Sequence, residues 1–417
     1  MQRYSEYKDS GVQWLGEIPS HWEVRKMKFT FQERSKKGYP LLPLLAATQN
    51  HGVIRKENYE NRTVEATKGL ETLKLVEEGD FVISLRSFQG GIEICHEKGI
   101  ISPAYTILRP TNIGKRYFKH LGKSPIFIQL LKSMVTGIRE GQNIDYGKLR
   151  DNLLPIPSVN EQETIANYLD SVTAKIDTAI AQQQKMIDLL NERKQIIINN
   201  AVTKGLNPNV KMKDSGVEWI GEIPEHWEVI RIKHLLRESK IRSMRGKEEP
   251  LSMSQSYGLI PTKNMETIPN MASSYAGAKI VKKGNLVFNK LKAHLGVFNV
   301  SKYDGLVSPD YAVYSSLGKV NLRFLEYLFK TPKCIHEFVK LITGVGAGLS
   351  RLYTSDLFSI YCAIPSLEEQ NSICSYIQNR TLKIDESIML YRKQISLLQE
   401  RKQIIINDVV TGKVKVV

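Results

Sequence analysis

Two polar clusters in the first half of this 417-residue sequence carry side chains that hydrogen-bond in pairs: Arg86-Ser87-Phe88-Gln89-Gly90-Gly91 and Arg139-Glu140-Gly141-Gln142-Asn143. Arginine, glutamine and asparagine present the donors and acceptors that read base edges in a major groove, and glycine lets a backbone approach closely. The second half offers Asn289-Lys290-Leu291-Lys292-Ala293-His294 and Gly348-Leu349-Ser350-Arg351-Leu352-Tyr353 at corresponding places. The candidate DNA contacts are therefore Arg86, Ser87, Gln89, Gly90, Arg139, Gln142 and Asn143, followed by Lys290, Lys292, His294, Ser350, Arg351 and Tyr353. The bland alternative is that these are solvated polar loops.

Signatures of catalysis are missing. Gly344-Val345-Gly346-Ala347-Gly348 lacks the lysine of a phosphate loop and reads as a flexible loop. There is no HExxH, no nucleophile elbow, no dinucleotide fingerprint and no Asn-Pro-Pro-aromatic run. This favours a binding or scaffold role over an enzyme. The four cysteines (Cys95, Cys334, Cys362, Cys374) form no metal-like spacing and read as reduced thiols of a cytoplasmic protein, with no metal site. No apolar run is long enough to cross a bilayer and no signal peptide is expected. The formal charge of +16 and a pI of about 9.4 call for a polyanionic partner, most commonly nucleic acid.

The elements that must position these loops come in two copies. Lys8 to Val24 recurs as Lys213 to Val229 with fourteen of seventeen positions identical, and Leu189 to Thr203 recurs as Leu397 to Thr411. The chain is thus one module repeated, with matched ends and different middles. Each half divides into a mixed α/β globular part and a helical tail: 1–157, 158–205, 206–365 and 366–417. Strand-like runs occur at Phe81 to Leu85 and Tyr105 to Leu108, and Lys115 to Met134 reads as helical. Gly79 matches Gly284, and Ser102 to Tyr105 matches Ser308 to Tyr311. All four tryptophans lie in the repeated segment and are expected to anchor it to a core or to the tails. A part identical in both halves cannot supply two different readouts.

Ser158-x-x-Glu161 and Ser366-x-x-Glu369 read as capping boxes that open the tails, and Gly205 and Gly412 as their stops. A seven-residue period runs through Leu169, Ile176, Gln183, Leu190 and Ile197, and again through Ile377, Ile384, Tyr391, Leu398 and Ile405. Ile165, Val172, Met186 and Ile373 are expected between them on the seam, with Gln183 and Arg380 as its polar members. Leu169, Ile176, Leu190, Ile197, Ile377, Ile384, Leu398 and Ile405 are the candidate coiled-coil and partner-binding residues. The fold class predicted is α+β, with two globular domains separated by two long antiparallel coiled-coil helices in a pseudo-two-fold repeat.

The order variable domain, helix, variable domain, helix resembles the specificity subunit of type I restriction-modification systems. The resemblance rests on GxxWxGxIPxHWEV at Gly11 to Val24 and Gly216 to Val229. It rests also on IPSxxEQ at Ile156 to Gln162 and Ile364 to Gln370, and on ERKQxxI at Glu192 to Ile198 and Glu400 to Ile406. It spans essentially the whole chain. It implies a non-catalytic subunit whose variable parts are target recognition domains, each reading one half of a split site in double-stranded DNA. It implies that the helix pair fixes the spacer, and that two methyltransferase subunits and two restriction/translocase subunits join it. S-adenosylmethionine, ATP and Mg²⁺ would belong to those partners, with no cofactor in this chain. The rival readings are a stand-alone DNA-binding regulator, a coiled-coil scaffold, and a self-contained nuclease or methylase.

Half-sites on one face of a duplex lie about one helical turn, ~34 Å, apart, and a helical tail of ~40 residues is a rod of roughly 60 Å. Adding four residues to each tail, about one turn, should lengthen the recognised spacer and leave both half-sites unchanged. Methylation-site mapping of such a variant checks this, and an unchanged spacer would sink the ruler idea.

Overall fold

The computed structural model describes residues 2–49, 51–58, 69–84, 87–136, 143–254, 257–265, 267, 274–342 and 351–416. The chain is α+β and folds as two compact units. The first comprises Met1–Gln184 with Arg392–Val417, the second Lys185–Tyr391. Two long helices, Val159–Lys204 and Leu367–Val410, contribute a stretch to each unit.

Both units repeat one topology. In the first, an antiparallel sheet runs in the order Phe31–Arg34, Thr106–Pro110, Phe81–Ile83, Glu93–Ile94. In the second, the order is Leu236–Glu238, Tyr311–Ser316, Leu286–Asn289, Phe298–Val300. A strand of the repeated segment closes each unit against its last strand: Glu23–Lys26 on Leu153–Ile156, and Glu228–Arg231 on Tyr361–Ile364. The stretch that reads as helical, Lys115 to Met134, is helical and holds two helices, Lys115–Leu121 and Pro125–Ser133. The second begins anew because Ser124 caps it and Pro125 takes its first position.

The main core of each unit includes long-helix residues. In the first unit Ile165, Leu169, Ile406, Val409 and Val410 pack with Trp22, Phe31, Phe81 and Phe118. In the second, Ile198, Ala201, Val202, Ile373 and Ile377 pack with Trp227, Phe288, Phe298 and Phe324. A smaller core lies under each sheet's other face, around Val53, Val82 and Ile107 and around Leu259, Val287 and Val313. Each helix pair is antiparallel within its unit. Lys402 Nζ reaches the Asp177 carboxylate at 2.7 Å in the first, and Lys194 reaches Asp385 at 2.6 Å in the second. These lysines are the ones in the repeated Glu-Arg-Lys-Gln.

Ile165 and Ile373 are buried on the seam as expected, but further along each helix the alternate layers are shifted by one residue. Leu169 and Ile377 are fully buried, and Ile176 and Ile384 nearly so. Leu190, Ile197, Leu398 and Ile405 are half-buried. The layers between them are built by Thr173, Ile187, Thr381 and Ile388, all buried. Val172 is only half-buried, and Met186 is exposed. Arg380 is also off the seam, its guanidinium lying over the Tyr376 ring at 5.5 Å. A buried threonine fits here because its hydroxyl is satisfied by its own helix: Thr173 Oγ1 donates to the Leu169 carbonyl at 2.7 Å. Gln183 does sit inward, and its Oε1 is buried without a hydrogen-bond partner among the described residues.

Each long helix is tied at its start to the repeated segment. Ser158 and Ser366 Oγ accept from the Glu161 and Glu369 N–H at 3.3 Å, forming the serine half of the capping box. The glutamates do not reach back to the serine backbone. Glu161 accepts from Tyr4 OH at 2.6 Å and lies 3.0 Å from His21 Nε2. Glu369 lies 2.8 Å from His226 Nε2 and accepts from Trp227 Nε1 at 3.2 Å. The next residue is buried in both: Gln162 accepts from Gly114 N–H and donates to the Pro157 carbonyl, and Gln370 does the same with Asn321 and Pro365. This accounts for the whole of IPSxxEQ.

The other helix of each unit ends on the same tryptophan. Gly412 has φ 75°, and a Cβ there would lie 2.3 Å from Pro19 Cδ and 3.1 Å from Trp22 Cη2. Gly205, with the same φ, would place one 3.5 Å from Trp227 Cζ2. Trp22 and Trp227 are therefore anchors to core and helix together. Trp22→Ala should destabilise the protein by about 3–5 kcal/mol, and Trp227→Ala by a similar amount, each read as a lowered denaturant midpoint.

Candidate nucleic-acid interface

In the first unit a single helical turn, Ser87–Gly90, follows the strand Phe81–Ile83. It presents Gln89 to solvent. Ser87, expected to face DNA, is instead buried, and its hydroxyl accepts from the Ser84 N–H at 2.9 Å. It closes the turn and is removed from the surface. Gly90 lies against Gln49, since a Cβ there would be 2.9 Å from Gln49 Cγ.

Gln49 and His51 flank the tip of a hairpin, Leu45–Thr48 and Gly52–Arg55, and sequence reasoning missed them. Gln49 Nε2 donates to Gln89 Oε1 at 3.2 Å. Lys123 Nζ donates to the Gln49 carbonyl at 3.1 Å and also to the buried Glu93 carboxylate. The signal available was the polar run Gln49-Asn50-His51-Gly52 between two apolar stretches. A cavity of about 830 Å³ opens beside this cluster, with Lys119, Lys132 and Lys402 on its wall.

In the second unit the structure brings four candidates together. Leu352 N–H donates to the Lys290 carbonyl at 3.1 Å, joining the segment Arg351–Tyr353 to the turn Lys290–Leu295. Lys292 is exposed and Tyr353 is 47% exposed. Arg351 pairs with Asp310 at 3.1 Å. Lys290 is mostly buried, 3.8 Å from Glu238, which also receives Lys279 at 3.2 Å. Burial lowers the Lys290 ammonium from its ordinary value, with Glu238 opposing. Burial would raise the Glu238 carboxyl, but hydrogen bonds from Thr354 and Lys279 and the Lys290 charge hold it below the usual range. Lys290 therefore organises the turn from beneath while Lys292 and Tyr353 face outward. Arg86, Arg139, Gln142 and Ser350 lie outside the described residues, as do the side chains of Asn143 and His294 and the loop Gly344 to Gly348.

Among the described residues no cluster of His, Cys, Asp or Glu could hold a metal ion, and no helix is long and apolar enough to cross a membrane. All four thiols are free. Burial pushes Cys95 and Cys374 up to about 11 and Cys362 to about 12. Burial thus favours the neutral thiol over the thiolate, the form that acts as nucleophile.

No family model matches the sequence. The chain is 26% identical over 444 residues to the putative type I restriction enzyme MjaX specificity subunit of Methanocaldococcus jannaschii, covering 96% of each. It is 25% identical over 362 residues to the type I restriction enzyme MjaVIII specificity subunit of the same organism, covering 82% of this chain and 80% of that one. A chain in a solved structure concerning complex assembly and conformational transition of the type I R-M system matches with a TM-score of 0.70. The match spans 95% of this chain and 99% of that one at 13% identity, so it is the fold that is shared. Duplicated β-rich units on two long helices are the architecture this chain shares with that one. Over most of its length the chain is thus similar to type I restriction enzyme specificity subunits, and its fold is that of the chain in the solved type I structure.

Burial pushes the Glu93 carboxyl up from 4.5 to about 7, against the pull of the Lys123 ammonium. The folded state thus binds this proton more tightly than the unfolded chain. The contribution is full below about 4.5 and is lost as pH rises through about 7. Glu93→Gln should remove that part of the fall in stability across this window, measured as denaturant midpoint against pH.

Proposed function

We propose that residues 1–157 and 206–365 are two target recognition domains, each reading one half of a bipartite site in double-stranded DNA. Residues 158–205 and 366–417 are the helical regions that set the spacer. They also dock two methyltransferase subunits and two restriction/translocase subunits, which bring S-adenosylmethionine, ATP and Mg²⁺. The assembly works on DNA in the cytoplasm. The observation that carries this reading is repetition with a difference. Both units attach to the long helices through the same residues, His21 and Glu161 in one and His226 and Glu369 in the other. Their exposed polar surfaces differ: Gln89 in the first, and Lys292 and Tyr353 in the second. Common attachment with unlike surfaces fits two independent readouts. The net charge of +16 supports phosphate contacts that orient each domain on the duplex.

The test is co-expression with the partner methyltransferase subunit and mapping of modified bases in host DNA. A split motif with a fixed spacer, methylated only when both chains are present, is the expected result. DNA binding by the chain alone without any methylation would favour a regulator. Replacing residues 206–365 with another family member's domain should change one half-site and leave the other intact. Changes in both would refute independent readout.

A further inference from the structure

The tip of the Leu45–Arg55 hairpin is held more firmly than an exposed polar turn requires. Thr48 Oγ1 accepts from the His51 N–H at 3.1 Å and donates to the Gly52 carbonyl at 2.9 Å. Gly52 has φ 72°, and a Cβ there would stand 2.9 Å from the Ile94 carbonyl oxygen, so the hairpin lies flush on the strand Glu93–Ile94. Lys123, itself held by buried Glu93, fixes the Gln49 backbone. Gly90 leaves room for the Gln49 side chain, whose amide then donates to Gln89.

Two exposed glutamines are thereby set in one orientation. Exposed glutamines ordinarily keep their rotamer freedom, and fixing them costs entropy that no core recovers. A glutamine amide presents one acceptor and two donors, and its bidentate match in the major groove is adenine N6 and N7. After their mutual hydrogen bond, Gln49 and Gln89 retain both kinds of group.

The second unit repeats this hairpin at Leu251–Ser254 and Gly258–Pro261. Ser254 Oγ accepts from the Tyr257 N–H at 3.2 Å, and Gly258, again at φ 72°, packs closely on Asn299. Where the first unit has His51, the second has Tyr257, 63% exposed. The scaffold is kept and His51 gives way to Tyr257, while Gln49 is matched in sequence by Gln255; Gln89 and Lys123 are what set Gln49 in the first unit.

Resting on the assignment of this unit as a target recognition domain, we propose that the hairpin tip is a base-reading element. Gln49 and Gln89 act as one hydrogen-bonded pair on the adenine of a single A·T pair in the first half-site, and Lys123 is the positioning residue. The experiment uses the full chain with its methyltransferase subunit, reading modified bases in host DNA. The variants are Gln49→Ala, Gln89→Ala, their double and Lys123→Met. Each single glutamine variant should lower the preference for the same base pair by roughly 5- to 100-fold. That pair should lie in the half-site that survives replacement of residues 206–365. The double should exceed the stronger single by no more than about twofold, because the pair acts as a unit. Lys123→Met should relax that same position, where a merely structural role would lower methylation at all sites alike. Unchanged selectivity, relaxation in the other half-site, or uniform loss without a change in base preference overturns the proposal. Absence of any split motif with the wild-type chain would instead overturn the domain assignment on which it rests.

Discussion

The structure depends on a carboxylate in the first turn of each long helix. Glu161 and Glu369 sit where the exposed N–H groups of a helix start favour negative charge. Each uses its oxygens to hold the repeated segment, through His21 in one unit and His226 and Trp227 in the other, and Glu161 also holds Tyr4 just before it. The tryptophan beside that histidine receives the end of the other long helix. One short segment therefore fixes the beginning of one rod and the end of another against a single core. A helix of 46 residues with a mostly polar surface could not be held by its own apolar seam alone; its ends are where the globular parts take hold of it.

That duty explains why the segment recurs nearly unchanged while its surroundings diverge. The IPSxxEQ run that it meets is held in the same way: Gln162 bridges a carbonyl and an amide in different elements, and Gln370 does the same. The loops beyond have no such obligation. Their residues differ between the two units while the attachment stays as it is.

Much of this was legible in the sequence. Matched ends located the two copies, and the seven-residue period marked Leu169, Ile176, Ile377 and Ile384. The seam was misread where apolarity was the only guide. Met186 and Val172 are more apolar than Thr173, yet Thr173 is the buried one because its hydroxyl finds its own helix's carbonyl. Lys194 and Lys402 occupy corresponding positions in the two units, each mostly buried with its charge meeting an aspartate of the other helix. The polar loops were partly legible too, since Gln89, Lys292 and Tyr353 are exposed. Ser87 was not, because its role is a hydrogen bond three residues back. Gln49 acquires its setting only from residues about 40 and 74 positions away, Gln89 and Lys123, and no local pattern encodes such a meeting.

The two units are also unlike in the way they draw on the chain. The second is made of one continuous stretch, Lys185–Tyr391, whereas the first takes Met1–Gln184 and then waits for Arg392–Val417. Those last residues supply Ile406, Val409 and Val410 to its core, a carbonyl to Tyr117 OH, and Lys415 to the bridge with Gln2. During synthesis the half that emerges first is consequently the half that closes last. Loss of Arg392–Val417 would spare the unit Lys185–Tyr391 and open the one built on Met1–Gln184.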